Sequence, residues 1–551
     1  MEVSAEQGQW AAAQAAAVAA GAQIVQSHIN ANLFALWVPA SALLTLAEAS
    51  PVRYVHAPPI VRPETIVNEG VALINASAWR DAGFTGAGIK VGIVDLGFQG
   101  YQQFLGTELP AGVTVNGSFF SDLDLGLDGE TGHGAQVAQV LHDVAPGAQL
   151  YFVNPDTVTG FLSAVDWLIS QGVRIINHSV AWYGLAGDGS DPLGQKVQAA
   201  RNAGVTWFNA SGNDAETHWR GTWADADGDN FLEFSGTDET NNILFPPGNL
   251  TFVLRWNDSP TAPTNDYDVC MFIFETNQLF CSIDTQNGTS GQKPVDELTV
   301  INSSTNTTLT ASALVRRYSA VATNFTFDIW AVAAGFAFQH PVAAGSVTTP
   351  ADAPAAVAVG AVTWSTPNTI ASYSSQGPTI DGRIKPDLVG PSGVTVATDN
   401  SGGTAVLNGT SFSSPITAGA AALVLQANPS FTPAQVQAFL EGRAVDLGTA
   451  GKDNVFGAGR LALGAVTAEP TPTPTPIPTP VPPTATPVPT PLPPTATPLP
   501  TPLPPTATAT PELTPIPGVS GPGLGTMAGL LLAGVLWAWW RLRPEQGRRP
   551  A

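Results

Sequence analysis

Residues 408–415 read Asn-Gly-Thr-Ser-Phe-Ser-Ser-Pro, and the Ala- and Gly-rich run ITAGAAALVLQAN (416–428) follows directly. A Gly-Thr turn therefore delivers Ser411 to the start of a predicted helix, with Pro415 expected in its first turn, where a missing N–H costs little. Unpaired amides and the positive end of the helix dipole would stabilise a negative intermediate formed at this serine. An ordinary capped core helix is the other interpretation of the stretch.

Three upstream segments carry side chains that suit the same chemistry. The β-branched run KVGIVD (90–95) predicts a buried parallel strand, and it ends in Asp95, where α/β sheets place their sites. His133 lies between two glycines and precedes a predicted amphipathic helix. The run VTWFNASGND (205–214) predicts a second buried strand, which ends near Asn213. An aspartate, a histidine and an asparagine thus stand at the ends of predicted elements, although an asparagine after a glycine turn is otherwise an ordinary turn former.

The string GTSFSSP resembles the nucleophile motif of the subtilisin-like serine proteases, and the Asp95 and His133 segments precede it in that family's order. The resemblance implies that Ser411 is the nucleophile, His133 the general base and Asp95 its orienting acid. It implies that Asn213 and the Ser411 amide bind the oxyanion. It also implies a substrate-binding site formed by two wall segments, Ser179, Val180 and Ala181, and Ala210, Ser211 and Gly212.

Three positions depart from the family pattern. Leu96 stands where Thr or Ser follows the aspartate, Ala135 replaces a threonine near the base, and Ala181 replaces a common glycine. Ala135 and Ala181 support the alternative function, a catalytically silent surface protein that uses the fold and an inserted β-domain for adhesion or binding. An esterase is disfavoured because the chain has no G-x-S-x-G around Ser411.

The predicted fold class is α/β, with a subtilisin-like parallel sheet flanked by helices over 66–220 and 341–468. Short alternating strands predict an inserted all-β sandwich over 221–340, which we expect to restrict access to Ser411. Residues 1–65 resemble an inhibitory propeptide, or else form a plain N-terminal packing domain. The Pro/Thr-rich residues 469–518 predict a stalk, and 519–551 predict a transmembrane helix with a basic cytoplasmic tail.

The two cysteines and an acidic loop belong to the predicted insert. In a hairpin, Cys270 and Cys281 would face each other and could form a disulfide, which would place the chain outside the cytoplasm; a pair of buried free thiols is the alternative. Asp225, Asp227 and Asp229 have calcium-like spacing but lack the EF-hand positions of glycine and glutamate. A solvated acidic loop is the alternative there, and no cofactor is expected to be required.

The net charge and the predicted membrane topology restrict which partners are expected. The chain has 21 Lys and Arg against 43 Asp and Glu, a formal net charge of −22, which argues against nucleic acid. We expect a monomer that acts on protein or peptide substrates at the extracellular face of the cell membrane. The first ten residues show no secretory signal, so we expect either a true start upstream or a truncated chain.

Overall fold

The computed structural model describes residues 1–28, 32–56, 67–122, 124–129, 131–320, 324–332, 335–399 and 401–466. The predicted stalk and the predicted membrane anchor lie outside these residues. Within the described part of the chain, no helix is both long and apolar enough to cross a membrane. The chain divides into two compact units, Met1–Thr65 and Ile66–Ala551.

The N-terminal unit is a four-stranded antiparallel sheet with two helices. Its strand order, β2-β3-β1-β4, is that of a split βαβ fold. Within it, the run NLFALWV (32–38) contains a strand and the run SALLTLAEA (41–49) contains a short helix. Small and apolar side chains, among them Ala13, Phe34 and Leu46, form its core. The elements are β1 (Glu2–Ala5), α1 (Trp10–Ala19), β2 (Gln23–His28), β3 (Leu33–Trp37), α2 (Leu43–Ala47) and β4 (Val52–His56).

The second unit is organised by a seven-stranded parallel sheet, in agreement with the predicted α/β class. Its order is β19-β18-β9-β8-β5-β7-β6, and every neighbouring pair is parallel. The inner strands are buried throughout or nearly so, which explains their continuous apolar sequences. The strands are β5 (Lys90–Val94), β6 (Thr114–Asn116), β7 (Gln149–Val153), β8 (Ile175–His178), β9 (Thr206–Ala210), β18 (Ala356–Thr363) and β19 (Leu388–Ser392).

Helices accompany this sheet, and two large apolar cores form against it. One core contains the buried faces of α5 and α8, and the other contains those of α6 and α7. The helices are α3 (Gly70–Leu73), α4 (Ala76–Asp81), α5 (His133–Val144), α6 (Val158–Ser170), α7 (Pro192–Asn202), α8 (Thr410–Ala427) and α9 (Pro433–Glu441), and a small hairpin is formed by β20 (Val394–Ala397) and β21 (Thr404–Leu407).

Between β9 and β18 the chain forms two four-stranded antiparallel sheets around a separate apolar core, here called the β-sandwich (218–332). Its first strand begins at His218, slightly before the predicted boundary at 221. One sheet is β10 (His218–Thr222), β17 (Thr326–Val332), β12 (Gly248–Trp256) and β15 (Val295–Asn302); the other is β11 (Asn241–Phe245), β16 (Leu309–Ser319), β13 (Asp266–Ile273) and β14 (Gln278–Cys281). Cys270 and Cys281 are cross-strand partners joined by a disulfide.

A buried ionic cluster links the β-sandwich to the rest of the unit. Asp328 on β17 is fully buried and accepts hydrogen bonds from Arg255 Nη2 at 2.7 Å, Arg220 Nη2 at 2.8 Å and His218 Nε2 at 3.3 Å. Burial alone would raise the pKa of Asp328, but Arg255 and Arg220 hold it well below its usual range. Arg220 also donates to the Pro378 carbonyl at 2.8 Å, outside the sandwich.

We predict that Asp328→Asn lowers the free energy of unfolding by about 3–5 kcal/mol, because two buried guanidinium groups lose their counter-charge. Urea denaturation followed by tryptophan fluorescence measures the change. The matched control is Asp166→Asn, which removes an ion pair with Lys196. The Asp166 side chain is 65% exposed. That control should cost less than about 1 kcal/mol. Equal effects from the two variants would contradict a stabilising role for the cluster.

Candidate active site

Asp95 and His133 form a hydrogen-bonded pair at the carboxyl edge of the parallel sheet. Asp95 directly follows β5, and its Oδ1 lies 2.8 Å from His133 Nδ1. The Asp95 side chain is fully buried, whereas the His133 side chain is 29% exposed, so the imidazole connects the carboxylate with the surface. Burial lowers the pKa of His133, but the charge and hydrogen bond of Asp95 outweigh it, and the net pKa is raised.

The second oxygen of Asp95 is less well satisfied. Among the described residues, Asp95 Oδ2 is buried and accepts no hydrogen bond, while Oδ1 also accepts from the Leu96 amide at 2.9 Å. Leu96 and Ala135, two departures from the family pattern, have no hydroxyl to offer this carboxylate. The imidazole of His133 is therefore the main side-chain partner of Asp95.

Other described histidines have different environments. Burial lowers the pKa of His142 to about 4 and that of His178 to about 3. His178 accepts a hydrogen bond from Trp182 Nε1 at 3.1 Å, and His218 belongs to the Asp328 cluster. These contacts explain His178 and His218 structurally, and His340 pairs with Asp238 of the β-sandwich at 2.9 Å. His133 lies instead beside a carboxylate at the edge of the parallel sheet.

Ser411 is the second residue of α8, and α8 begins close to His133. The rings of His133 and Phe412, the residue after Ser411, have centroids 5.7 Å apart. Gly409 precedes the helix with φ +136°, a conformation that side chains disfavour, and its amide donates to Ser392 Oγ at 2.9 Å. The Ser411 hydroxyl donates to the Ser179 carbonyl at 3.2 Å in this structure.

The predicted position of Pro415 is wrong, because it is the sixth residue of α8 and not part of the first turn. An ordinary residue there would donate its amide to the Ser411 carbonyl, and proline cannot. Ser179 Oγ donates to that carbonyl instead, at 3.0 Å, and itself accepts from Asn177 Nδ2 at 3.0 Å. The proline thus frees an acceptor that ties Ser411 to the end of β8.

Asn213 is held in one orientation by the first residue of α8. Its Oδ1 accepts from the Thr410 amide at 2.9 Å and from Thr410 Oγ1 at 3.0 Å. Both donors require the oxygen on that side, so Nδ2 is directed away from Thr410. The side chain is exposed, and a hydrogen-bond donor is therefore presented beside the start of α8.

The two predicted wall segments lie on either side of the α8 start. Ser179 contacts Ser411 directly, and Val180 and Ala181 continue from it, partly exposed. Ala210, Ser211 and Gly212 are buried at the end of β9, where the Gly212 amide donates to Thr410 Oγ1 at 3.3 Å.

Sequence reasoning missed a contact between these walls. Tyr183 OH donates to Asp214 Oδ1 at 2.8 Å and so connects the segment after Ala181 with the residue after Asn213. Burial raises the pKa of Asp214 to about 6, although the hydrogen bond from Tyr183 acts to lower it. Neither residue belongs to a motif, and their approach depends on tertiary packing. The one sequence feature that points to this contact is that Asp214 directly follows Asn213.

The acidic loop of the β-sandwich brings Asp225, Asp227 and Asp229 together. One carboxylate oxygen of each lies within 4.8 Å of the others, a spacing that could hold a metal ion. Asn230, the sixth residue of the loop, has φ +75°, the conformation that the EF-hand gives to its glycine. Arg317 Nη2 lies 3.5 Å from Asp225 Oδ2 and already supplies a cation. Calcium binding here stays a prediction.

Several proteases are similar to parts of this chain. Subtilisin Savinase from Lederbergia lenta is 41% identical over 125 residues, 22% of this chain and 42% of the relative. Subtilisin DY from Bacillus licheniformis is 29% identical over 163 residues, 27% and 56% of the two chains. Serine protease AprX from Bacillus subtilis (strain 168) is 37% identical over 117 residues, 18% and 25% of the two chains. The chain thus spans between a quarter and just over half of these relatives' lengths.

A solved structure gives the same indication for the fold. The CspB protease of Clostridium perfringens superposes with a TM-score of 0.53 at 17% identity, over 71% of this chain and 96% of that chain. The subtilase family itself matches residues 86–246 and 275–459, which are more than half of the sequence. This protein therefore belongs to the subtilase family.

Proposed function

We propose that this protein is a serine endopeptidase that cleaves protein or peptide chains through a Ser411–His133–Asp95 triad. The observation that carries the proposal is the 2.8 Å hydrogen bond between Asp95 and His133 beside the buried start of α8. Membership of the subtilase family supports the same activity. A silent binding protein would have no need for a charged, buried partner behind a half-exposed imidazole.

In the proposed mechanism, Ser411 Oγ attacks the scissile carbonyl while His133 Nε2 takes its proton and later gives it to the leaving amine. The Ser411 hydroxyl must first turn from the Ser179 carbonyl toward His133; catalytic hydrogen bonds often form only with substrate bound. Asp95 fixes the tautomer that leaves His133 Nε2 free to accept. Asn213 Nδ2 and the Ser411 amide, one of the helix-start amides without an acceptor inside the helix, would bind the oxyanion.

We also propose that the protease is tethered outside the cell, with 469–518 as a stalk and 519–551 as the anchor. The support is the sequence alone, an apolar run that ends in tryptophans and is followed by arginines. The Cys270–Cys281 disulfide agrees with an oxidising compartment. Residues 1–65 would act as the propeptide, for which their split βαβ topology offers a compact, separate unit.

The first test uses a fluorophosphonate probe, which labels only an activated serine. The full-length protein should label and cleave a peptide library, and Ser411→Ala should do neither. Ser413→Ala removes a neighbouring hydroxyl that donates to the Gly390 carbonyl, so it serves as the matched control and should still label. An unlabelled wild type with a native fold would favour the silent surface protein instead.

The second test is the pH profile of kcat/KM. His133 must be neutral to act as the base, so activity should rise with pH through a pKa above the ordinary value of about 6.5. Asp95→Asn removes the charge that raises this pKa and leaves the burial that lowers it. The acid limb should therefore move to lower pH, and kcat should fall by roughly four orders of magnitude, a loss borrowed from chymotrypsin-type enzymes. An unmoved acid limb would remove His133 from the role of base.

The third test separates the two ends of the Asn213 amide. Asn213→Ala loses the Nδ2 donor and the Oδ1 acceptor, whereas Asn213→Asp keeps an acceptor for Thr410 and replaces the donor with a negatively charged oxygen. Both variants should lose roughly 100- to 1000-fold in kcat with little change in KM, a magnitude borrowed from subtilisin. Near-complete rescue by Asn213→Asp would show that the residue only positions Thr410.

A further inference from the structure

A cavity of about 360 Å³ lies where the β-sandwich meets the segment that follows Ala181. Gly184 forms its wall on the sheet side, and the sandwich supplies the loop after β14 and the start of β15. The charged groups that line it are Asp284, Lys293 and Glu297, and Gln286 lies among them. The cavity combines two carboxylates with one ammonium group, a net negative charge.

The side chain of Gln286 adds a buried acceptor to this lining. Gln286 is 6% exposed, its Nε2 donates to the Val295 carbonyl at 3.3 Å, and its Oε1 has no hydrogen-bond partner. Because an unpaired buried acceptor is costly, this side chain would gain by turning Oε1 toward a ligand that brings donors. Asp284, Lys293 and Glu297 are exposed at the mouth of the cavity, and the pKa of Glu297 is raised by partial desolvation and by Asp284 and lowered by Lys293.

The loop that forms the cavity is held in place before any ligand arrives. Gln292 Oε1 accepts from the Asn287 and Thr289 amides, each at 3.0 Å, and the Gly291 amide donates to the Thr261 carbonyl at 2.8 Å. On the opposite wall, Gly184 has φ +70°, and a Cβ there would fall 1.8 Å from Glu297 Oε1. The glycine is what lets this carboxylate lie against the wall.

The position of Gly184 relates the cavity to the proposed cleft. Gly184 follows Ser179, which contacts Ser411, by five residues, so the two lie at most about 18 Å apart. Tyr183, directly before it, reaches Asp214 beside Asn213. An extended substrate advances about 3.3 Å per residue, so a separation of this size corresponds to roughly five residues from the cut bond.

We infer that this cavity binds an arginine or lysine side chain of the substrate, an inference that rests on the proposed peptidase function. Only two carboxylates line this cavity, and within the described part of the chain three acidic, cysteine or histidine ligands come together at Asp225, Asp227 and Asp229 instead. A guanidinium or ammonium group on an extended chain suits both the volume and the acceptors. Lys293, whose Nζ lies 3.5 Å from the Gly184 carbonyl, is a resident cation that the substrate would displace.

The test compares peptides that carry arginine with peptides that carry its neutral isostere citrulline at each of five positions on either side of the cut bond. At one or two positions the wild type should prefer arginine by roughly tenfold in kcat/KM, the size of one charge-assisted hydrogen bond. The ratio should fall toward one in the double variant Asp284→Asn, Glu297→Gln. It should rise in Lys293→Gln, because the cavity then loses its internal cation.

The matched control is Glu275→Gln, which removes a sandwich carboxylate but keeps an acceptor for the Thr310 amide. Its arginine preference should equal that of the wild type. A wild type that cleaves both peptide series equally, or a preference that survives in the double variant, would overturn the inference and leave the peptidase function standing. If no peptide is cleaved, the proposed function fails, and binding of the same pairs to Ser411→Ala still decides whether the cavity selects arginine.

Discussion

The burial of α8 is the constraint on which the proposed site depends. Every residue of this helix except Gln426 is buried, so its start cannot shift without disturbing the core. The small residues at its centre permit this, since a Cβ on Gly419 would fall 2.7 Å from Val144 Cβ of α5. Because His133 begins α5 and Ser411 lies in the first turn of α8, the close packing of these two helices fixes the proposed base relative to the proposed nucleophile.

A second constraint, the buried charge of Asp328, fixes the β-sandwich. A carboxylate enters an apolar interior only when its partners offset the desolvation, and Arg220 and Arg255 do so here. Arg255 also packs against Gly187, outside the sandwich, where an added Cβ would fall 1.5 Å from Arg255 Nη1. A sandwich anchored in this way would influence substrates as a fixed wall and not through its own motion.

The sequence predicted what local patterns encode and missed what distant segments create. Continuous β-branched runs identified the strand before Asp95, and alternation identified the strands that carry Cys270 and Cys281. The predicted position of Pro415 was wrong because the helix begins at Thr410. The Ser411 carbonyl, which the proline leaves without a helical donor, accepts from Ser179, more than two hundred residues earlier. The Tyr183–Asp214 contact likewise has no signature within either segment.

The formal charge of −22 raises the question of whether any preference for basic substrates needs a specific cavity. A diffuse negative field attracts cations at long range and speeds their encounter, but it does not distinguish one substrate position from the next. At physiological ionic strength the field of exposed charges decays over about 8 Å. Position-dependent selection therefore requires acceptors at a fixed distance from Ser411. The Glu297 carboxylate, which lies against Gly184 five residues after Ser179, is the acceptor that we propose for this role, whereas carboxylates elsewhere on the surface contribute only to the encounter.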